Sequence, residues 1–168
     1  MSSKAVAAAL LLAASSGCGY RFTAGGAPLP EGIRSVCAPV YRNRTAEPGL
    51  EALFSESMRQ WLSRSGVSAP AGGCEATLEG EIVSLAGAQT LLTPAGTLAS
   101  YRVSAVVNLK LVKGGRVVAQ AEVGGSEDYL PARPSGDVLV TEANRQAALR
   151  RLADALARDG YERLAGGW

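Results

Sequence analysis

The chain contains no histidine. That excludes Ser-His-Asp and Cys-His catalysis and removes the commonest ligand of catalytic zinc. Its three cysteines, Cys18, Cys37 and Cys74, form no CxxC pair, so thiol redox catalysis has no motif to rest on. The early apolar run, Ala5 to Ala14, is ten residues long. Crossing a bilayer core of about 30 Å takes about 20. Neither acids nor bases dominate: 17 basic residues against 15 acidic give a formal charge of +2. Such a balance leaves no electrostatic footprint for nucleic acid.

The N-terminus carries a positive message. Lys4 precedes the apolar stretch, and the small residues Ser15, Ser16 and Gly17 end it. A charged start, a short apolar core and small residues at the end make a secretory signal peptide. Cys18 follows directly, so cleavage between Gly17 and Cys18 leaves a thiol at the new N-terminus, ready for lipid. Ser16-Gly17-Cys18 resembles the lipobox of bacterial lipoproteins, with Ser15 where leucine is usual. An ordinary secretory peptide cut nearby is the plainer alternative. By the same resemblance, Gly19 after the cysteine implies sorting to the outer membrane. Each buried methylene of an acyl chain contributes about 0.8 kcal/mol, and stable anchoring needs more than one chain.

Without residues 1–17 the chain keeps 151 residues and a formal charge of +1, since Lys4 is the only charge lost. That is one domain's length, enough to bury a single core. Cys37 and Cys74 would lie in an oxidising compartment, where a bridge between them can persist. The other reading is two small buried thiols in neighbouring strands.

Residues 18–32 read as a lipidated N-terminus and a tether, because Thr23 to Pro30 is aperiodic and rich in Gly and Pro. Residues 33–168 read as one domain. Ile33 to Tyr41 reads as the first strand, with Pro39 near its end favouring an edge position or a strand terminus, and Arg42 to Thr45 as a polar turn with Thr45 capping a helix. Leu50, Leu53, Phe54, Met58, Trp61 and Leu62 recur at helical spacing and predict an amphipathic helix. Ala76 to Leu85 alternates as a half-buried strand, while Gln89 to Leu98 reads as a loop or frayed strand end. In the long strand that follows, Tyr101, Val103, Ala105, Val107, Leu109 and Leu111 share one face. Arg102, Ser104, Asn108 and Lys110 share the other. Gly114-Gly115 reads as a two-residue hairpin turn into a further strand toward Tyr129. Asp137 reads as the cap of a final helix with Leu149, Leu152, Ala153 and Leu156 on its buried stripe. The order β-α-β-β-β-α predicts an α+β two-layer sandwich, a four-stranded mixed sheet covered by two helices.

This layout resembles the lipopolysaccharide-assembly lipoprotein family LptE. The matching pieces are Gly17-Cys18-Gly19-Tyr20-Arg21-Phe22, Val36-Cys37-Ala38-Pro39-Val40, and Asn43-Arg44-Thr45-Ala46-Glu47-Pro48-Gly49-Leu50 ahead of the first helix. Tyr101 opening a long strand, the hairpin and the C-terminal helix match as well. The resemblance implies a role rather than a reaction, and no cofactor. Its proteins sit as a plug in the lumen of the outer-membrane barrel LptD, help it mature, and bind lipopolysaccharide. It also implies basic contacts near the start of the long strand and in the loop before the last helix. Arg102 and Arg133 are the nearest candidates, with Lys110 third. Clustered phosphates suit such side chains through charge-assisted hydrogen bonds.

Two other functions compete. One is a lipid- or partner-binding lipoprotein of another cell-envelope complex. The other is an anchored enzyme using Glu79 and Glu81, which share a strand face as an acid/base pair would.

Overall fold

The computed structural model describes residues 28–92, 98–132 and 137–166. The segments expected as signal peptide and tether up to residue 27, Cys18 among them, and Arg133 lie outside the described residues.

The fold is the expected α+β sandwich: an open mixed sheet with two helices on one face. Its order is β1 (Val36–Cys37), β2 (Arg42–Asn43), α1 (Leu50–Arg64), β3 (Ala76–Leu92), β4 (Leu98–Lys113), β5 (Arg116–Tyr129) and α2 (Val138–Gly166). β3, β4 and β5 form an antiparallel meander, and β1 and β2 pair parallel to β3 along its outer edge.

The first strand departs from expectation. Ile33 to Tyr41 is not continuous; it contributes Val36–Cys37, and pairing resumes only at Arg42–Asn43. Pro39 between them has no N–H to donate, so the ladder is interrupted there. The sheet therefore counts five strands rather than four, and Arg42–Asn43 is strand rather than turn. Thr45 is not the helix cap either. Gly49, at φ +89°, holds that position without a side-chain cap bond. Thr45 instead donates both its N–H (2.9 Å) and its hydroxyl (2.7 Å) to Asn43 Oδ1. Of Gln89 to Leu98, the part up to Leu92 is the end of β3 and Leu98 begins β4, while residues 93–97 lie outside the described residues.

The apolar stripes meet where their periods place them. Leu50, Phe54, Met58 and Leu62 of α1 are buried with Leu149, Leu152, Ala153 and Leu156 of α2. They pack over Leu78, Ile82, Val103, Ala105, Val107, Leu109 and Leu111 of the sheet. Burying each of the leucine, valine, isoleucine, phenylalanine and methionine side chains among them contributes about 1.5–3 kcal/mol. Trp61 packs against this core with the Arg64 guanidinium 5.3 Å from its ring centroid. Asp137 caps α2, its Oδ1 accepting the Leu139 N–H at 2.8 Å. Gly114 and Gly115 take the positive φ values, +57° and +78°, that a two-residue hairpin turn demands. Leu29 is buried, so the last residues of the stretch expected as tether join the fold.

Cys37 and Cys74 are joined in a disulfide, with Cα atoms 5.6 Å apart. It staples β1 to the start of β3. On its other side β1 is covered by Val67–Ala69, through Val36 N–H to Val67 O (2.7 Å) and Ala69 N–H to Val36 O (3.0 Å).

Candidate interaction surface

Alternation sends every second residue of the sheet away from the helices, and this outer face holds most of the polar candidates. Toward the β4–β5 hairpin the rows read Glu79–Lys110–Gln120 and Glu81–Asn108–Glu122 across β3, β4 and β5. Arg42 and Val40 flank them and complete an open cleft of about 260 Å³ with Lys110 and Asn108. Arg44 pairs with Glu81 at 3.2 Å. Cations and carboxylates are thus interleaved. The two glutamates do not form an acid/base pair free of other charge: one sits opposite Lys110, the other is held by Arg44.

Farther along the same face, Arg102 lies opposite Asp128. Its Nε and Nη2 donate to the two carboxylate oxygens at 2.7 and 2.9 Å. That hydrogen bonding holds the Asp128 carboxyl below the usual carboxylate range and keeps the guanidinium firmly charged. Arg102 and Lys110 stand eight residues apart on one strand, about 26 Å at the usual rise. The structure therefore puts these two candidates on one face without bringing them together.

The Asn43–Leu50 motif is a clasp. Asn43 Nδ2 donates to the Glu47 carbonyl (2.7 Å) and to Glu51 Oε2 (2.8 Å). The Glu47 carboxylate in turn takes both terminal nitrogens of Arg145 on α2, one at 2.8 Å. That hydrogen bonding raises the Arg145 pKa despite partial burial. Glu47 and Asn43 thereby tie the start of α1 to α2 and to β2. The sequence signal for this was the motif itself, but its partner Arg145 lies 98 residues away.

The LptE family profile, described as lipopolysaccharide-assembly, matches residues 33–164. The chain belongs to the LptE family. LptE proteins are non-enzymatic lipopolysaccharide-assembly lipoproteins of the outer membrane. No curated protein matches this chain by sequence. Among solved structures, it is similar to a protein from Caulobacter crescentus (TM-score 0.56, 16% identity, 76% of this chain and 89% of that one). It is also similar to the rare lipoprotein B of Shewanella oneidensis (0.52, 16%, 78% and 96%). A minor lipoprotein of Acinetobacter baumannii is a third such structure (0.53, 10%, 80% and 93%). At these identities the likeness establishes a shared fold. Among the described residues of this LptE-family chain, no helix is long and apolar enough to cross a membrane.

Proposed function

We propose that this protein is lipidated at Cys18, held at the outer membrane, and seated in the lumen of an LptD-type barrel. There it assists the barrel's maturation and binds lipopolysaccharide on its way to the surface. The observation that carries this reading is the family match across nearly the whole sandwich, residues 33–164. The physical character of the sandwich supports it. A plug in a water-lined barrel needs a rigid core and a hydrated exterior, and the outer sheet face carries alternating Glu, Lys, Asn, Gln and Arg over a dry core.

Arg102, Lys110 and Arg133 are the proposed lipopolysaccharide contacts. A phosphate reaching Arg102 must displace Asp128 from a bidentate grip. The pair lies open to solvent, where water and salt screen it, so a clustered phosphate can compete.

The test is a pull-down of tagged protein from envelope membranes. The expected result is co-purification of a large β-barrel and a triacylated Cys18 by mass spectrometry of the mature N-terminus. Absence of any barrel would overturn the plug role, and an unmodified Cys18 would overturn the anchor.

A further inference from the structure

The outer edge of β3 changes character at Ile82. Below it the edge is paired: β1 takes Ala76 and Thr77, β2 takes Glu81 and Ile82. The last bond is from Arg44 N–H to the Ile82 carbonyl at 3.0 Å. Beyond it, β3 continues to Leu92 with β4 on one side. Among the described residues, nothing hydrogen-bonds the main chain of this stretch from the other side. Ten unpaired residues give an edge about 30 Å long.

Proteins ordinarily blunt such an edge with charge, proline or a covering element. Among the described residues this edge has none of them, and its only irregularities are register shifts against β4 at Ile82/Ser84 and beyond Gln89. Ile82 through Tyr101 contains no charged residue, and Val83 to Leu92 contains no proline. Ala86, Gly87, Ala88 and Gln89 are all exposed, so both faces of the strand are clear there. The opposite edge of the same sheet is treated differently. Along β5, Arg163 donates to the Glu122 carbonyl at 3.0 Å and Arg151 to the Asp128 carbonyl at 3.2 Å. Two arginines of α2 thus occupy acceptors that an added strand would need. One edge is guarded; the other is left as a template.

We infer that the Val83–Thr90 edge of β3 is a strand-addition site that takes an extended, uncharged segment of the barrel partner. The inference rests on the barrel reading above. Main-chain pairing supplies the attraction, and the small side chains admit a neighbour on either face. The size of the edge selects this occupant over a second copy of the chain. Eight residues fall well short of the roughly 20–30 a side that hold a stable interface alone. A segment of a partner already gripped elsewhere pairs at high effective concentration and needs no more. The bonds along β1 and β2 show the lower half of the same edge accepting parallel strands from the chain's own N-terminal segment.

The experiment places a photo-crosslinking residue at Ser84, Ala86 or Ala88, and at Gln120 as a distant control, in the full-length protein in cells that make the barrel. Adducts are purified through the tag and mapped by mass spectrometry. The expected result is a barrel adduct from the three edge positions, mapping to one contiguous segment. The double variant Ala86→Lys/Ala88→Lys should cut the adduct from Ser84 at least fivefold, while thermal stability and barrel co-purification stay unchanged. A barrel that co-purifies but crosslinks only from Gln120 overturns the strand-addition site and leaves the plug role standing. An adduct of twice the chain's mass from the edge positions overturns the occupant in favour of a second copy. A tag that recovers no barrel overturns the plug role itself, and this occupant with it.

Discussion

Arg102 and Asp128 face each other across the β4–β5 ladder, and the guanidinium grips both carboxylate oxygens. The side chain proposed to meet lipopolysaccharide is therefore already oriented, and already occupied by a competing anion. Removing the competitor and removing the cation should act in opposite directions. Asp128→Asn is expected to tighten lipopolysaccharide binding a few-fold, and Arg102→Ala to weaken it. Isothermal titration with purified lipopolysaccharide reads both. Equal weakening by the two variants would mean that the pair positions the surface rather than contacting phosphate.

The same pair sets a small acid dependence. The Asp128 pKa is lowered by the hydrogen bonds from Arg102. A carboxyl with a depressed folded pKa contributes stability above its ordinary value near 4, lost as pH falls through the lowered one. Arg102→Ala should therefore move acid unfolding to slightly higher pH and change nothing at pH 7 beyond the small value of an exposed pair. Circular dichroism across pH 2–6 checks it. An unchanged acid midpoint would remove the linkage.

The reasons some of this was legible in the sequence, and some not, are local. The face on which Arg102 sits follows from strict alternation along β4, a period that survives any choice of neighbour. Its partner does not follow. A tight turn at Gly114-Gly115 pairs Lys113 with Arg116, and counting back evenly puts Arg102 opposite Glu127. A one-residue irregularity between Leu111 and Val112 shifts the register and delivers Asp128 instead. No residue in that stretch announces a bulge. Pro39 did announce an edge position or a strand terminus: β1 stands at the end of the sheet order and stops at Cys37, but no local signal showed that pairing resumes at Arg42. Thr45 carries the chemistry of a helix cap and was pre-empted by Asn43, whose amide was committed through Glu47 and Glu51. Distant pairing of this kind has no short-range signature. The candidate site shares that limit, since the open edge of β3 is visible only once β1 and β2 are seen to stop at Ile82.

The disulfide offers a cleaner measurement. Cys37 and Cys74 are 37 residues apart in sequence. In the chain-entropy account, opening a loop of that size costs at most about 4 kcal/mol. The variant Cys37→Ser/Cys74→Ser should lower the urea midpoint accordingly. Reductant should lower the native protein by the same amount and leave the variant unmoved. A variant as stable as the native protein would show that Val67–Ala69 and β3 hold β1 without the staple.

Gly80 is required by Tyr41. A Cβ built on Gly80 would clash with the Cε1, Cζ and Cδ1 atoms of the Tyr41 ring, which is itself buried in the core. Gly80→Ala is expected to cost about 1–3 kcal/mol through overpacking. Shrinking the ring should relieve the clash, so Gly80→Ala with Tyr41→Leu should lose less than the two single variants summed. Strict additivity in chemical denaturation would dissociate the two residues.

Tyr41 also carries an alkaline sensitivity into the core. Its hydroxyl is buried and has no hydrogen-bond partner among the described residues. Burial pushes its pKa well above the usual tyrosine value, against a weaker opposing influence from Arg59. The neutral form is thus favoured by folding. This contribution is fully present below the unfolded tyrosine pKa near 10, and it fades as pH rises from there toward the raised folded value. Tyr41→Phe should therefore lose nothing at pH 7, and gain up to about 1 kcal/mol by removing an unpaired polar group from the core. Its advantage over the native protein should widen above pH 10. Tyr129 and Tyr161, whose pKa values burial also raises, keep the remaining dependence in place. Urea titrations at pH 7 and pH 10.5 measure both effects. A loss of more than about 1 kcal/mol at pH 7 would show that the hydroxyl is satisfied in the folded protein, because only a group with a partner costs that much to delete.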